Sequence, residues 1–347
     1  RNIVGIAAAH PELARRGVLL RKFGQEVIRV TAGKRIHGTG SVPGGVNRNV
    51  SSDERKALRA ESGRMIDWSR DAVHLVQRLF KQNLEQYRDF GSFPSHSLHM
   101  VRDDGAMDLY HGGLRARMAD GTELFDHADY SNYWERILED VKPWSYMKFP
   151  FLLALGPEHG WYRVGPLTRV TGCDFIPSPL AEQARREFLS FDGGSAARAT
   201  LGFHWARMIE MLHAAEVIEA LLDDDELSGD ELMAYGERQP RGIGVIEAPR
   251  GTLIHHYRVD EHDQVVRANL VVSTTHNNEA MNRSIRAVAR RYLDGRTLTE
   301  GLLNHIEVAV RAFDPCLSCA THALGRMPLA VDLHDADGTL LDSIKRG

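Results

Sequence analysis

The chain has 347 residues, 43% of them hydrophobic and 26% charged, with a net charge of −4 and a pI near 6.5. That balance suits an ordinary globular core, lacks the basic surplus of a nucleic-acid binder, and leaves no run of ~18 or more apolar residues to span a membrane. Three cysteines do not make a disulfide framework, so a reducing, cytoplasmic setting is expected.

Pro11 at a first helical position, Leu19, Phe23 and Val27 at spacings of four, and Gly33 as a stop predict an amphipathic helix over residues 11–33. Lys34 to Asn49 is rich in glycine and reads as a structured loop. Ser52 or Asp53 then caps a long helix reaching about Phe90, with Ile66, Val73, Val76 and Phe80 on its buried face. Residues 94–101 read as extended, and Leu114–Met118 and Thr122–Phe125 flank an Ala-Asp-Gly turn in a hairpin. A short helix is expected at about Ser131–Val141, followed by buried irregular packing in the aromatic, proline-rich stretch Lys142–Phe151. His96, His99, His111 and His127 share no face and read as ordinary histidines rather than ligands. Cys173 stands alone and reads as a small buried residue.

Ser195 is the expected cap of a core helix over 195–223, carrying Leu201, Trp205, Met208, Leu212, Ala215 and Leu222, with Asp223–Glu226 as a solvated exit. Thr252–Val259 and Gln264–Ser273 make a second hairpin around Asp260-Glu261-His262-Asp263. Helices over 279–293 and 298–312 follow. The fold class expected is therefore mainly α with accessory β-hairpins (α+β), in one compact body.

The chemistry concentrates in Asp314-Pro315-Cys316-Leu317-Ser318-Cys319-Ala320-Thr321-His322, which holds two of the three cysteines. Thiols at i and i+3 can bind one soft metal ion side by side. By spacing alone the pair is open first to a zinc clamp, then to a redox dithiol, which the lack of a preceding βα unit weakens, or to two small core residues. Two further strings offer polar chemistry. In Glu247-Ala248-Pro249-Arg250-Gly251 the proline fixes the backbone beside the arginine, and in Leu270-Val271-Val272-Ser273-Thr274-Thr275-His276 a strand ends in hydroxyl residues that can donate hydrogen bonds.

The Asp-Pro-Cys-x-x-Cys-x-x-His string resembles the second metal-binding motif of the large, catalytic subunit of nickel-iron hydrogenases. Lys142–Phe151 and Trp161–Leu167 resemble internal sequence of the cytoplasmic, NAD-reducing members. The resemblance implies a hydrogenase-like helical core and a nickel-iron centre with CO and cyanide ligands on iron, beside a magnesium ion. It casts Cys316 as a terminal nickel ligand, Cys319 as the bridge to iron, and Leu270 (through its carbonyl) and His322 as magnesium partners. Arg250, aimed by Pro249, would stand over the open coordination position with Asp314 nearby. Thr274, then Ser273, would donate to a cyanide, although many family members carry proline where Ser273 stands.

The reaction implied is reversible heterolytic cleavage of dihydrogen. Its electrons would pass to an iron-sulfur small subunit, then through flavin-containing diaphorase subunits to NAD. Residues 1–322 would form one hydrogenase domain. Residues 323–347 would form an extension that a maturation protease removes once a nickel chaperone has delivered the metal. The family also carries an earlier CxxC, expected to lie before Arg1. Two rivals remain at this point: a metal-free, quinone-module-like structural subunit, which shares the fold without the metal cysteines, and a zinc-stabilised structural protein, which has no use for the Pro249-Arg250 and Ser273-Thr274 strings.

Overall fold

The computed structural model describes residues 3–316 and 329–346. The chain folds into two compact units, one of residues 1–77, 178–184 and 208–239, the other of residues 78–177, 185–207 and 240–347.

The first unit is built on helices. Pro11 opens the helix Pro11–Ala32, and the N–H of Gly33 bonds the Arg29 carbonyl at 2.9 Å to close it where the spacing predicts. The long helix Ser52–Gln82 starts in a capping box one residue earlier than the expected caps: Ser51 Oγ accepts from the Glu54 N–H at 3.3 Å, and the Glu54 carboxylate accepts from the Ser51 N–H at 3.1 Å. Arg48 and this box hold the Glu54 carboxyl down at about 2. Val30, Leu58 and Leu222 form a small core, with Phe23, Val27 and Ile218 packed against it. The acidic exit is tied down rather than simply solvated, since Arg59 reaches Glu219 at 2.7 Å and Asp223 at 2.8 Å. Within the glycine-rich loop, Ser41–Val42 and Gly45–Val46 pair as a minimal ribbon.

The second unit carries the sheets. A four-stranded sheet runs in the order Glu123–Ala128, Gly113–Arg117, His96–Val101 and Tyr162–Arg163, antiparallel except for the last pair. A three-stranded antiparallel sheet has Gly251–Val259 at its centre, flanked by Val265–Val271 and Arg241–Ala248. Alternate residues of both sheets meet in one apolar core: Leu98, Met100 and Leu114 from the first, and Val245, Ile254 and Val271 from the second. Trp205 is the hub of a second cluster, with Phe80, Phe188 and Phe191 at ring distances of 5.6, 5.1 and 5.2 Å. The helices Asn278–Tyr292 and Glu300–Phe313 form as expected, the latter capped by Thr299 Oγ1 accepting from the Leu302 N–H at 3.1 Å. No described helix is long and apolar enough to cross a membrane.

Several expectations are corrected. The 131–141 segment is a helical turn, Tyr130–Glu135, followed by a strand, Ile137–Val141, which pairs with Lys148–Leu152. The aromatic stretch is therefore half strand, and Trp144 and Tyr146 stand in solvent, 68% and 85% exposed. The 195–223 helix is two, Ser195–Arg198 and Gly202–Asp223, because Ala199 is extended (ψ 141°). The long helix stops at Gln82 and resumes for a single turn at Leu84–Tyr87. The strand Arg241–Ala248 has no counterpart among the expected elements.

Candidate functional site

Ala248 pairs with Gly251 across two strands, so Pro249 and Arg250 are the two-residue tip of a hairpin. The tip rests on a buried ion pair. Arg169 Nη1 lies 2.7 Å from Glu247 Oε2, and both side chains are essentially inaccessible. The same guanidinium donates to the carbonyls of Ala248 (3.0 Å) and Pro249 (3.4 Å). Glu247 Oε1 accepts from Thr252 Oγ1 at 2.7 Å and from the Met100 N–H at 2.9 Å. Burial pushes the Glu247 carboxyl upward, against Arg169 and these donors, which favour its charge. Two glycines make room. Gly251 (φ 137°) sits where a Cβ would strike Val164, and Gly165 (φ 104°) where a Cβ would come within 2.8 Å of the Arg250 carbonyl.

Arg250 faces the end of the helix Glu300–Phe313. There Asp314 takes a left-handed turn (φ 52°), its N–H bonding the Arg311 carbonyl at 3.1 Å. Ring packing of Phe203 on Phe313 at 4.9 Å and a bond from Arg207 Nη2 to the Ala312 carbonyl at 3.0 Å fix that end. Arg250 Nε donates to the Asp314 carbonyl and lies 3.4 Å from Asp314 Oδ2. Asp314 is thus half-exposed and ends a helix, beside Arg250 as the resemblance implies.

The strand expected to reach Ser273 stops at Val271, and the helical turn Ser273–His276 that follows it closes the constellation. Ser273 Oγ donates to the Gly251 carbonyl at 2.8 Å, and Thr274 Oγ1 accepts the Cys316 N–H at 3.1 Å. Contacts therefore join Arg250 to Asp314, Thr274 to Cys316, and Ser273 to Gly251 next to Arg250, bringing residues scattered over 68 positions of sequence into one connected set with the hairpin tip Pro249-Arg250. Leu270 lies on the strand Val265–Val271, opposite His255. Cys319 and His322 lie outside the described residues.

Other residues of this region carry no role in the sequence reading. Tyr162 Oη bonds His276 Nδ1 at 2.6 Å in a fully buried pair. Burial holds His276 down at about 3 and raises Tyr162 well above its ordinary value, so the bond joins a neutral imidazole to a neutral phenol. Asn277 clamps the Val164 backbone, accepting its N–H at 2.9 Å. Strand-end position and mixed polarity are the only sequence signals that mark these residues.

Among the described residues no group of three or more His, Cys, Asp or Glu side chains is placed to hold a metal ion. What they offer a metal is Cys316, disulfide-bonded in this structure and a thiolate only once reduced, its backbone pinned by Thr274, in a CxxC whose second cysteine is Cys319. Paired thiolates fit a soft metal such as nickel.

Residues 79–322 match the family model described as nickel-dependent hydrogenase. The chain is 47% identical to the beta subunit of the NAD-reducing hydrogenase HoxS of Cupriavidus necator, over all of this chain and 73% of that protein. It is 37% identical to a subunit of the F420-non-reducing hydrogenase of Methanothermobacter thermautotrophicus, over 99% and 73% of the two chains. Its fold superimposes on the crystal structure of an NAD+-reducing [NiFe]-hydrogenase in the H2-reduced state with a TM-score of 0.90, at 55% identity, covering 92% of this chain and 71% of that one. The chain belongs to the nickel-dependent hydrogenases, as a large, catalytic subunit. Both the 47% and the 55% likenesses are to enzymes named as NAD-reducing.

Proposed function

We propose that this chain activates dihydrogen in a cytoplasmic, heteromeric enzyme that delivers the electrons to NAD. The observation that carries this reading is the convergence of Arg250, Asp314, Thr274 and Cys316 through direct contacts on a fold of this family. When bound, a nickel-iron centre with CO and cyanide on iron supplies the soft-metal, two-electron chemistry that takes dihydrogen apart. Cys316 and Cys319 would hold it through two thiolates, and a thiolate would be the base available to the proton of heterolysis. Arg250, propped from beneath by Arg169 and Glu247 and held at Nε by Asp314, presents a fixed cation to the open side. Thr274, whose hydroxyl proton is left free by the Cys316 N–H it accepts, would donate to a ligand of iron. The Leu270 carbonyl and the His322 ring would be partners in a magnesium site.

The partners of this reading are an iron-sulfur small subunit, flavin-containing diaphorase subunits, and, during assembly, a nickel chaperone and a maturation protease that removes residues 323–347. A zinc clamp or a metal-free quinone-module subunit gives the Arg250–Asp314 pair and the Thr274–Cys316 bond no task. Purification of the assembled complex followed by H2-dependent NAD+ reduction tests the proposal. Stoichiometric nickel with NAD+ reduction is the expected result, and nickel-containing, H2-oxidising enzyme that reduces other acceptors but not NAD+ contradicts the acceptor assignment.

A further inference from the structure

The strand Tyr162–Arg163 sends successive side chains to opposite faces. Tyr162 and Val164 enter the apolar core, and Arg163 turns the other way, its Cζ 5.2 Å from the centre of the Phe93 ring. Arg163 is only 9% exposed, yet its Nε and Nη1 are buried without a hydrogen-bond partner, and no ion pair links it to a carboxylate among the described residues. A buried guanidinium left with unpaired donors is a costly arrangement, and the usual remedy is an anion. Burial lowers its pKa to about 10, which leaves it charged at neutral pH.

Arg163 lines a cavity of about 830 Å³. Ser195, on the same wall set, also has its Oγ buried with no partner. Arg198 and Arg88 add positive charge at the rim, Arg198 being steadied by a bond from Nη2 to the Gly193 carbonyl at 3.2 Å. Asp89, 3.7 Å from Arg88 Nε, and Asp192 offset part of that charge, so the three arginines leave a surplus of one positive charge over the two aspartates. Orphaned donors on two separate chain segments, a net cation and an open cavity converge on one class of ligand.

We propose that this cavity is an oxyanion site, in which Arg163 and Ser195 donate to a phosphate or carboxylate group. The residues lining the cavity include none of the Arg250–Cys316 constellation, and the proposal does not depend on the metal reading. Arginine recognises both kinds of oxyanion by charge-assisted hydrogen bonds, and the two sources separate by experiment.

The test is calorimetric titration of the assembled, phosphate-free enzyme with inorganic phosphate and, separately, with acetate. Saturable binding at one site per large subunit is expected, tighter for phosphate if the natural group is tetrahedral and tighter for acetate if it is a carboxylate. Arg163→Met is expected to weaken binding by at least about tenfold, the loss of charged hydrogen bonds, with Arg163→Lys restoring part of it. Should Arg163→Met fail to fold, Ser195→Ala and the exposed Arg198→Gln carry the test, each expected to weaken binding severalfold. Absence of saturable binding by both anions, or affinities unchanged in the variants, overturns the proposal.

Discussion

Arg250 is aimed by its surroundings rather than by its own rotamer. Its backbone sits at a hairpin tip tied to Arg169, and its Nε is engaged by both the carbonyl and the carboxylate of Asp314. A lysine keeps the charge but cannot reproduce a planar group held at one edge. Arg250→Lys in the assembled enzyme is therefore expected to retain nickel while lowering H2 turnover about 10²-fold; full turnover with full metal content would remove Arg250 from the chemistry. The two hydroxyls also part company. Ser273 gives its proton to the Gly251 carbonyl, whereas Thr274, accepting the Cys316 N–H, keeps its proton to donate. Thr274→Val is expected to shift the cyanide stretching bands in the infrared, and Ser273→Ala to leave them in place. The opposite pattern would reassign the donor. At this scale the sequence named residues that the structure brings into contact, Arg250 with Asp314 and Thr274 with Cys316, because the motif strings carry them. It was silent on Arg169 and His276, whose importance arises only when the chain brings Glu247 and Tyr162 against them.

The hairpin Arg241–Val259 is the element on which the site depends, and half of it was invisible to pattern reading. The strand Gly251–Val259 shows apolar alternation, but Arg241–Ala248 carries Gly242, Gly244 and Glu247, which mask the period of two. Its pairing is supplied by tertiary contacts: Glu247 is buried only because Arg169 meets it. The same holds for the break at Ala199 inside a segment that reads as one helix, whereas the helices Pro11–Ala32, Asn278–Tyr292 and Glu300–Phe313 were legible because caps and apolar spacing agree. Gly165→Ala is expected to cost about 2–4 kcal/mol, through the strained backbone and the approach to the Arg250 carbonyl, read as a lower denaturation midpoint. Retained stability would mean the hairpin tip moves freely.

Buried histidines give these elements a common acid sensitivity. Burial holds His99 and His204 down at about 4 and His276 at about 3, so each is neutral when folded and takes a proton when unfolded below its ordinary value near 6.5. Their contribution to stability is complete above about pH 6.5 and is lost progressively as pH falls toward 4 and 3. Melting temperature is expected to decline from pH 6.5 downward, with a shallower slope in His276→Gln. A melting temperature independent of pH between 7 and 5 would contradict the burial of these rings.

At the scale of the whole molecule, the chain joins a small helical unit to a larger one bearing the sheets and the site, and its 244 matched residues, 79 to 322, run through most of the second. Beyond them, Leu329–His334 and Leu340–Arg346 pair as an antiparallel hairpin, and the Asp342 carboxylate accepts the Leu298 N–H at 2.7 Å, two residues ahead of the helix Glu300–Phe313. On the maturation reading this ribbon is transient: the large subunit of active enzyme is expected to have a mass ending at His322, and active enzyme still carrying residues 323–347 would make the ribbon a permanent part.

The most direct test of a nickel site built on Cys316 is elemental analysis of the assembled enzyme carrying Cys316→Ser, with H2 uptake measured on the same preparation. Loss of nickel together with loss of uptake, in a complex that still assembles, is the outcome predicted here. Unchanged nickel and undiminished uptake would contradict it.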